Sequence, residues 1–199
     1  MAVSSLKYKS KLGNLTAPAE IDLGGMIPLM ATTLSTSAAS VTFSDIPQSY
    51  EHLQIRLLAK TDEITTGATN IEMRFNSDTS GNYTRHYLFG TGSAAIAGGS
   101  TNTSYLTTGS ASQNGSAITS MFGVTIIDIL DYTNTNKYKT MRAISGVETN
   151  GSGNSYIWGA QSGVWMSTNA ISSITLFSNT SNLVQYTQAA LYGIKRAGV

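Results

Sequence analysis

The sequence predicts an all-β protein, a single antiparallel β-sandwich that follows an extended N-terminal arm. From residue 34 onward, apolar and polar residues alternate with the period of two that half-buried strands have, as Leu53, Ile55 and Leu57 do. No segment of ten residues carries an apolar stripe at helical spacing. With 199 residues, 41% of them hydrophobic, the chain is long enough to fill the core of one sandwich.

The predicted strands are short and are separated by turn residues. In chain order they cover residues 41–43, 52–60, 71–75, 83–89, 122–130, 139–147, 156–158, 171–177 and 188–194. Clusters of Asn, Asp, Ser, Thr and Gly at 76–82, 131–136, 150–154 and 178–182 are typical of turns. Short strands at this spacing favour a sandwich or a barrel.

Residues 91–117 interrupt the alternation. They include the segment 98–104 (GGSTNTS), which is followed by Tyr105 and Leu106. Low complexity of this kind is typical of surface connections. We therefore expect a long loop or an irregular edge hairpin there.

The composition divides the chain into an arm (1–33), the sandwich (34–195) and a short tail (196–199). The arm holds Pro18 and Pro28, two of the three prolines, and no strand or helix period persists in it. A disordered terminus is one interpretation. Docking on a partner is the other, because the arm is more apolar than a solvated tail requires. The predicted anchoring residues are Leu15, Ile21, Leu23, Met26 and Ile27.

Charge and cysteine content exclude several classes of function. Charged residues make up 12% of the chain and the formal net charge is +1, so no strong field attracts nucleic acid or an anionic membrane. The chain has no cysteine, which excludes disulfides, thiolate metal sites and cysteine nucleophiles. No run of 18 apolar residues and no signal-peptide core occur, so we expect assembly in the cytoplasm without membrane insertion.

The histidines do not predict a catalytic site. His52 and His86 lie in different predicted strands, each on the face opposite the main apolar residues of its strand. Neither a Gly-x-Ser-x-Gly elbow nor a His-x-x-x-His or His-x-His pair is present. We interpret both as surface or interface side chains and expect no metal and no cofactor.

The carboxylates do not predict an enzyme either. Asp62 and Glu63 are adjacent in a turn-like stretch and should diverge, while Asp128 and Asp131 are three residues apart where a strand ends. The loop 76–81 begins like a calcium loop but lacks the glutamate that such a loop needs at position twelve. A hairpin turn is the favoured interpretation of that loop.

The aromatic residues admit two interpretations. The first is that they form a platform on which a sugar stacks. The second, which is favoured for the tryptophans, is that they pack in the core or at a subunit seam. The aromatic residues concerned are Tyr83, Tyr87, Tyr105, Tyr156, Trp158 and Trp165. The candidate receptor or glycan contacts lie beside the loop 150–154, at Asn150, Asn154, Tyr156 and Trp158.

Two segments carry a resemblance to a known family. The phrase VTFSDIPQSYEHLQIRL (41–57) and the closing LYGIK (191–195) resemble the first and last strands of jelly-roll modules in virion proteins of tailed bacteriophages. The resemblance covers residues 34–195 and implies a jelly-roll-like sandwich that is part of a virus particle. Modules of this family are capsid decoration or head-fibre subunits, or domains of tail fibres and baseplates, and are commonly trimers.

The resemblance sets the functional expectation. We expect a non-enzymatic structural component of a virion, a capsid decoration or head-fibre protein that its N-terminal arm attaches to other virion proteins. The chain has no coiled-coil heptads, no collagen-like repeat and no second domain, which favours a small decoration or fibre protein. The alternative is a receptor-binding module of a tail fibre or baseplate that binds a host surface glycan during adsorption. Low charge and exposed aromatics further favour a homotrimer.

Overall fold

The computed structural model describes residues 25–64, 68–113, 120–148 and 156–196. These residues form twelve strands and no helix. Among them there is accordingly no helix of the length and apolarity that crossing a membrane requires. The strands are β1 (Met26–Thr33), β2 (Ser40–Phe43), β3 (His52–Thr61), β4 (Ala68–Phe75), β5 (Tyr83–Gly90), β6 (Ala95–Thr103), β7 (Leu106–Gln113), β8 (Gly123–Leu130), β9 (Lys139–Glu148), β10 (Tyr156–Trp165), β11 (Ile174–Phe177) and β12 (Gln188–Ile194).

The strands form two antiparallel sheets that pack as a sandwich, so the predicted fold class is confirmed. Sheet A has the order β1-β12-β3-β8-β9-β10-β5-β6, and sheet B has the order β2-β11-β4-β7. A short parallel pairing joins them, in which Lys60 and Thr61 of β3 lie beside Ser112 and Gln113 of β7. Sheet A is therefore twice as wide as sheet B.

The core lies between the sheets and is apolar. Its fully buried side chains include Leu53, Ile55, Ile127 and Leu191 from sheet A and Ile71, Met73, Phe75 and Leu106 from sheet B. Trp165 stacks on Tyr83 with ring centroids 6.3 Å apart and lies 5.6 Å from the ring of Phe75. The interpretation of Trp165 as a core residue is confirmed.

The closing strand pairs with the opening strand, as the sequence predicts. In sheet A, β12 lies next to β3, with Leu191 opposite Ile55. Its other neighbour is β1, where Ala31 pairs with Ala190. Residues 26–33 are thus an edge strand of the sandwich and not part of an arm, so the sheet begins eight residues before the expected boundary at 34. The long-range pairing with β12 explains the difference, because a local pattern cannot reveal it.

Two of the five predicted anchoring residues lie in the sandwich. Met26 and Ile27 lie in β1, opposite Ile194 and Gly193. The remaining predicted anchors, Leu15, Ile21 and Leu23, lie outside the described residues.

The expected loop at 91–117 contains two strands in different sheets. Edge strand β6 pairs with β5, whereas β7 pairs with β4 and is buried from Leu106 to Ala111. Strand β7 approaches sheet A so closely that a Cβ on Gly109 would lie 2.4 Å from Oγ1 of Thr125 and 2.7 Å from Cβ of Ser145. Only small residues fit at that distance. Because both faces of β7 are buried, its sequence lacks the alternation of apolar and polar residues that predicts a strand.

The turn at 76–82 also differs from its expected form. It connects β4 of sheet B to β5 of sheet A, so it passes between the sheets and is not a hairpin turn. The carboxylate of Asp78 accepts hydrogen bonds from Trp165 Nε1 (2.7 Å), Ser80 N (2.8 Å) and Asn82 Nδ2 (3.1 Å). Burial opposes ionisation of Asp78, but these hydrogen bonds outweigh it and lower its pKa to about 2. Asp78 therefore holds the turn against the core.

Candidate functional site

A cleft of ≈220 Å³ lies where the narrow sheet B ends over the wide sheet A. Strands β5 and β10 form one wall, and β7 with the neighbouring part of β4 forms the other. The lining residues are Asn70, Arg85, Tyr87, Leu88, Phe89, Thr107, Ser110, Ser145, Gly159 and Gln161. The cleft thus combines aromatic, amide, hydroxyl and guanidinium groups.

Strand alternation in β5 presents an aromatic surface to the cleft. Arg85, Tyr87 and Phe89 point inward, while the residues between them face outward and are exposed. The rings of Tyr87 and Phe89 stack with centroids 5.4 Å apart. Tyr87 lies opposite Gly98 of β6, and a Cβ on Gly98 would lie 2.5 Å from the hydroxyl oxygen of Tyr87. Glycine at 98 therefore gives the tyrosine ring the space to lie across the edge strand.

Arg85 supplies the positive charge of the cleft. Its guanidinium carbon lies 5.9 Å from the centroid of the Tyr87 ring. Its Nε is shielded from solvent and has no hydrogen-bond acceptor among the described residues. A buried donor of this kind is normally paired, so Arg85 can donate to a bound group.

Glu72 lies on the β4–β7 side of the cleft and affects the charge of the cleft. The side chain is buried, and its Oε2 accepts a hydrogen bond of 3.2 Å from Oγ1 of Thr107. Burial raises the pKa of Glu72 to about 7, while the charge of Arg85 and the hydrogen bond from Thr107 oppose that rise. At neutral pH the carboxyl is therefore partly protonated and balances only part of the charge of Arg85.

Gln161 fixes the position of β7 above β10. In the orientation that satisfies both atoms, its amide nitrogen donates to Thr107 O (2.7 Å) and its oxygen accepts from Gly109 N (3.2 Å). These backbone groups lie at the β-bulge where the register of β4 and β7 shifts. The amide of Gln161 is thus engaged by the protein, and Asn70, Arg85, Tyr87 and Ser110 are polar side chains of the lining that can contact a ligand.

Sheet A has a second notable surface on its outer side. Residues that are direct cross-strand neighbours form an apolar row through Ile126, Ile144, Ala160 and Leu88, and Leu58 and Val124 continue it in the next row. The exposed fractions of Ile126, Ile144 and Leu88 are 41%, 54% and 52%. A groove of ≈580 Å³ runs along the β12, β3 and β8 part of this face.

A polar rim borders the apolar row. Asp128 accepts hydrogen bonds from Gln54 Nε2 (2.9 Å) and Arg142 Nε (3.1 Å). Arg56 lies in the row next to them, with its guanidinium carbon 5.5 Å from the centroid of the Tyr192 ring. The rim therefore carries one charge of each sign, at Asp128 and Arg142.

The predicted surface positions of the histidines are confirmed, since both lie on the outer side of sheet A. His86 is exposed, and His52 Nδ1 accepts a hydrogen bond of 3.0 Å from the backbone N–H of Asp131. Ligand atoms of Glu51, His52 and Asp131 lie within 4.8 Å of one another. Lys137 Nζ lies 2.5 Å from Asp131 and Arg196 Nε lies 3.9 Å from Glu51. The group is an ion network in which two cations balance two carboxylates.

The carboxylates that the sequence offers as catalytic pairs have separate partners. Asp62 accepts hydrogen bonds from the backbone and side chain of Asn182, at 2.8 and 3.0 Å. Asp128 is bound by Gln54 and Arg142, as described above, while the hydrogen bond from Lys137 is the main reason that the pKa of Asp131 is lowered. Asp62 is thus held by Asn182, whereas Asp128 and Asp131 are held by different cations.

Lys139 is the most buried cation of the described residues, and its amino group is fully used. Its Nζ donates to the carbonyl oxygens of Asn134, Lys137 and Thr168, at 2.5, 2.9 and 3.1 Å. Burial lowers its pKa, and the charge of Asp131 opposes that change. Lys139 ties the β8–β9 connection to the segment after β10 and has a structural role.

The predicted sugar platform does not form as one surface. Tyr83 and Trp165 are in the core, and Tyr105 packs edge-on against Phe177, over which Arg74 lies at 4.3 Å. Of the described members, Tyr87 lines the cleft.

The candidate glycan contacts beside the 150–154 loop fall outside the part of the chain that the structure describes in full. Asn150 and Asn154 lie outside the described residues. Tyr156 and Trp158 occupy β10 opposite Glu148 and Gly146, but their side chains lie outside what the structure describes.

Sequence reasoning missed Arg85, Asn70 and Ser110 as site residues. The one available signal is parity, because Arg85 shares its side of the predicted strand with Tyr83 and Tyr87. That signal could not reveal that sheet B ends beside this part of β5.

Comparison of the chain with protein-family models, with curated proteins and with solved structures found no match in any of the three.

Proposed function

We propose that this chain is a non-enzymatic structural subunit of a tailed-phage virion, a capsid decoration or head-fibre protein that assembles with copies of itself through the outer face of sheet A. The observation that carries the assembly is the exposed apolar row through Ile126, Ile144 and Leu88. The resemblance of segments 41–57 and 191–195 to phage jelly-roll modules supports the virion assignment and implies three copies.

An exposed apolar row is unusual on the outer face of a sandwich. Antiparallel sheets normally alternate between apolar residues that face the core and polar residues that face water. In β8 the buried residues Thr125 and Ile127 alternate with Val124 and Ile126, which face outward and are apolar. Contiguous apolar patches beyond a few hundred Å² are rare on monomers and mark interaction sites.

The dimensions of the face suit contact with another folded subunit. Strands lie about 4.8 Å apart and residues on one face about 7 Å apart along a strand, so eight strands and three rows offer roughly 800 Å². A standard interface buries about 800 Å² on each partner, with an apolar centre and a polar rim. The apolar row and its rim of Gln54, Asp128 and Arg142 have that organisation.

The charges favour a second copy of the same chain as the partner. Arg56, Asp128 and Arg142 lie beside one another, so in a trimer the carboxylate of one copy can meet an arginine of the next copy around the ring. Attachment to other virion proteins through the arm remains a separate prediction. It now rests on Leu15, Ile21 and Leu23, since Met26 and Ile27 belong to β1.

Sedimentation of the full chain at micromolar concentration tests the assembly. We expect an oligomer for the natural sequence and a monomer for Ile144→Asp, because the substitution places a charge in the centre of the contact. Ile64→Asp is the matched control, since Ile64 is 84% exposed and lies outside this face. A monomeric natural protein, or an Ile144→Asp variant that sediments as an oligomer, would contradict the proposal.

A further inference from the structure

We propose that the cleft between β5, β10 and β7 is a binding site for a single saccharide residue that carries a carboxylate. This inference rests on the cleft alone. It is independent of self-assembly, which uses the opposite side of sheet A.

The aromatic wall provides the apolar part of the site. A sugar ring has one face of C–H groups that packs on flat aromatic side chains, and the stacked rings of Tyr87 and Phe89 offer such a surface. Both rings are half-buried, and that of Tyr87 lies against Gly98 of β6, so the surface is formed before a ligand arrives. Preformed apolar surface of this kind reduces the ordering cost of binding.

The polar side chains match a hydroxylated anion. Arg85 lies at the aromatic wall with a shielded Nε that lacks an acceptor among the described residues, and a guanidinium binds carboxylates through paired hydrogen bonds. Asn70 and Ser110 on the opposite wall can donate to and accept from ring hydroxyls. One guanidinium beside a partly protonated carboxyl suits a single negative charge better than the double charge of a phosphate.

The size of the cleft limits the ligand to one ring. Its ≈220 Å³ lies below the about 300–1,000 Å³ of sites that enclose drug-sized ligands. An acidic sugar can reach the cleft as a free monosaccharide or as a residue of a polysaccharide, and both offer the same ring and carboxylate.

Titration calorimetry of the full chain tests the site with defined probes. These are D-glucuronate, an oligomer of uronic acids, D-glucose as the uncharged match and acetate as the carboxylate alone. We expect saturable binding of D-glucuronate, at least tenfold tighter than that of D-glucose or acetate. If both D-glucuronate and the oligomer bind, the site takes a residue of a polysaccharide. If D-glucuronate binds and the oligomer does not, the site takes the free sugar. Absence of saturable binding by both acidic probes would overturn the inference.

Variants separate the cleft from nonspecific contacts. Arg85→Gln should weaken the binding of D-glucuronate at least tenfold and remove the preference for D-glucuronate over D-glucose. Tyr87→Ala should weaken the binding of both sugars. Arg56→Gln is the matched control, because Arg56 also lies over a tyrosine ring but on the outer face. Exposed Asn70 provides a third variant, Asn70→Ala, that leaves the core intact if Arg85→Gln fails to fold. Undiminished binding by the folded cleft variants would contradict the proposal.

Discussion

The two faces of sheet A both carry branched aliphatic residues, but they differ in what covers them. On the inner face, Leu53, Ile55 and Ile127 are fully buried beneath sheet B. On the outer face, Ile126 and Ile144 keep 41% and 54% of their surface exposed. Residues 126 and 127 are adjacent, so the chain places the same side chain in two environments one residue apart. The inner residue stabilises the fold, and the outer residue is available for assembly.

The inner face itself changes where β7 crosses it. Leu53 and Ile55 meet apolar side chains, whereas Thr125 and Ser145 face Gly109 at short distance. Sheet B ends at β7, and past that edge the inward-facing residues of β5 are Arg85 and Tyr87, which line the cleft. The width of sheet B therefore determines which part of sheet A is core and which part lines a cleft.

Substitution of the adjacent isoleucines should produce the strongest contrast in stability. Ile127→Ala should lower the free energy of unfolding by about 2–5 kcal/mol, because it leaves a cavity in the core. Ile126→Ala should change it by less than about 0.5 kcal/mol when the monomer alone is measured. Urea unfolding in the Ile144→Asp background makes the comparison without a contribution from assembly. Equal losses from both substitutions would mean that the outer face is also covered within one chain.

The pH dependence of stability tests the buried carboxyl near the cleft. The pKa of Glu72 is about 7 in the folded protein and 4.5 as its ordinary value, so the folded state retains a proton that the unfolded chain releases. The stabilisation is complete below pH 4.5 and is lost as the pH rises through 7, by about 3 kcal/mol in total. Glu72→Gln should therefore gain about that much relative to the natural protein between pH 5 and 8.

Urea unfolding at several pH values measures this difference. Comparison with the variant removes every pH-dependent contribution that the two proteins share. Asp78, with a pKa of about 2, stays ionised throughout. A constant difference between the two proteins from pH 5 to 8 would refute the assignment of a raised pKa to Glu72.

The close approach of β7 predicts a smaller effect. Gly109→Ala should destabilise the fold by about 1–3 kcal/mol, because the new Cβ would overlap Thr125 and Ser145. Gly90→Ala is the control, since a Cβ there meets nothing within 4 Å. Thermal unfolding of the two variants checks the prediction, and equal melting temperatures would place β7 farther from sheet A than described.

Much of the fold could be predicted from the sequence because its central strands alternate. The alternation of Leu53, Ile55 and Leu57 predicts β3, and β12 pairs with β3 as the sequence predicts. Strand β7 could not be predicted, because burial on both faces and the contact at Gly109 select small residues without a period. Strand β1 depends on pairing with a segment about 160 residues away.

The surfaces were less predictable than the strands. The run 122–130 is apolar almost throughout, so its sequence could not indicate that Ile126 faces outward and Ile127 inward. The cleft depends on where sheet B ends, which is a property of the assembled sheets and of no single segment. The alternation of side chains along β5 is the only sequence signal that could have indicated that Arg85 faces inward.

Cryo-electron microscopy of purified particles of a phage whose genome encodes this chain decides whether the chain is a virion subunit. We predict density for the sandwich on the virion, in copies that contact one another through Ile126, Ile144 and Leu88 of sheet A. Particles without density for the sandwich would contradict the virion assignment. Copies whose outer face of sheet A is open to solvent would contradict assembly through that face.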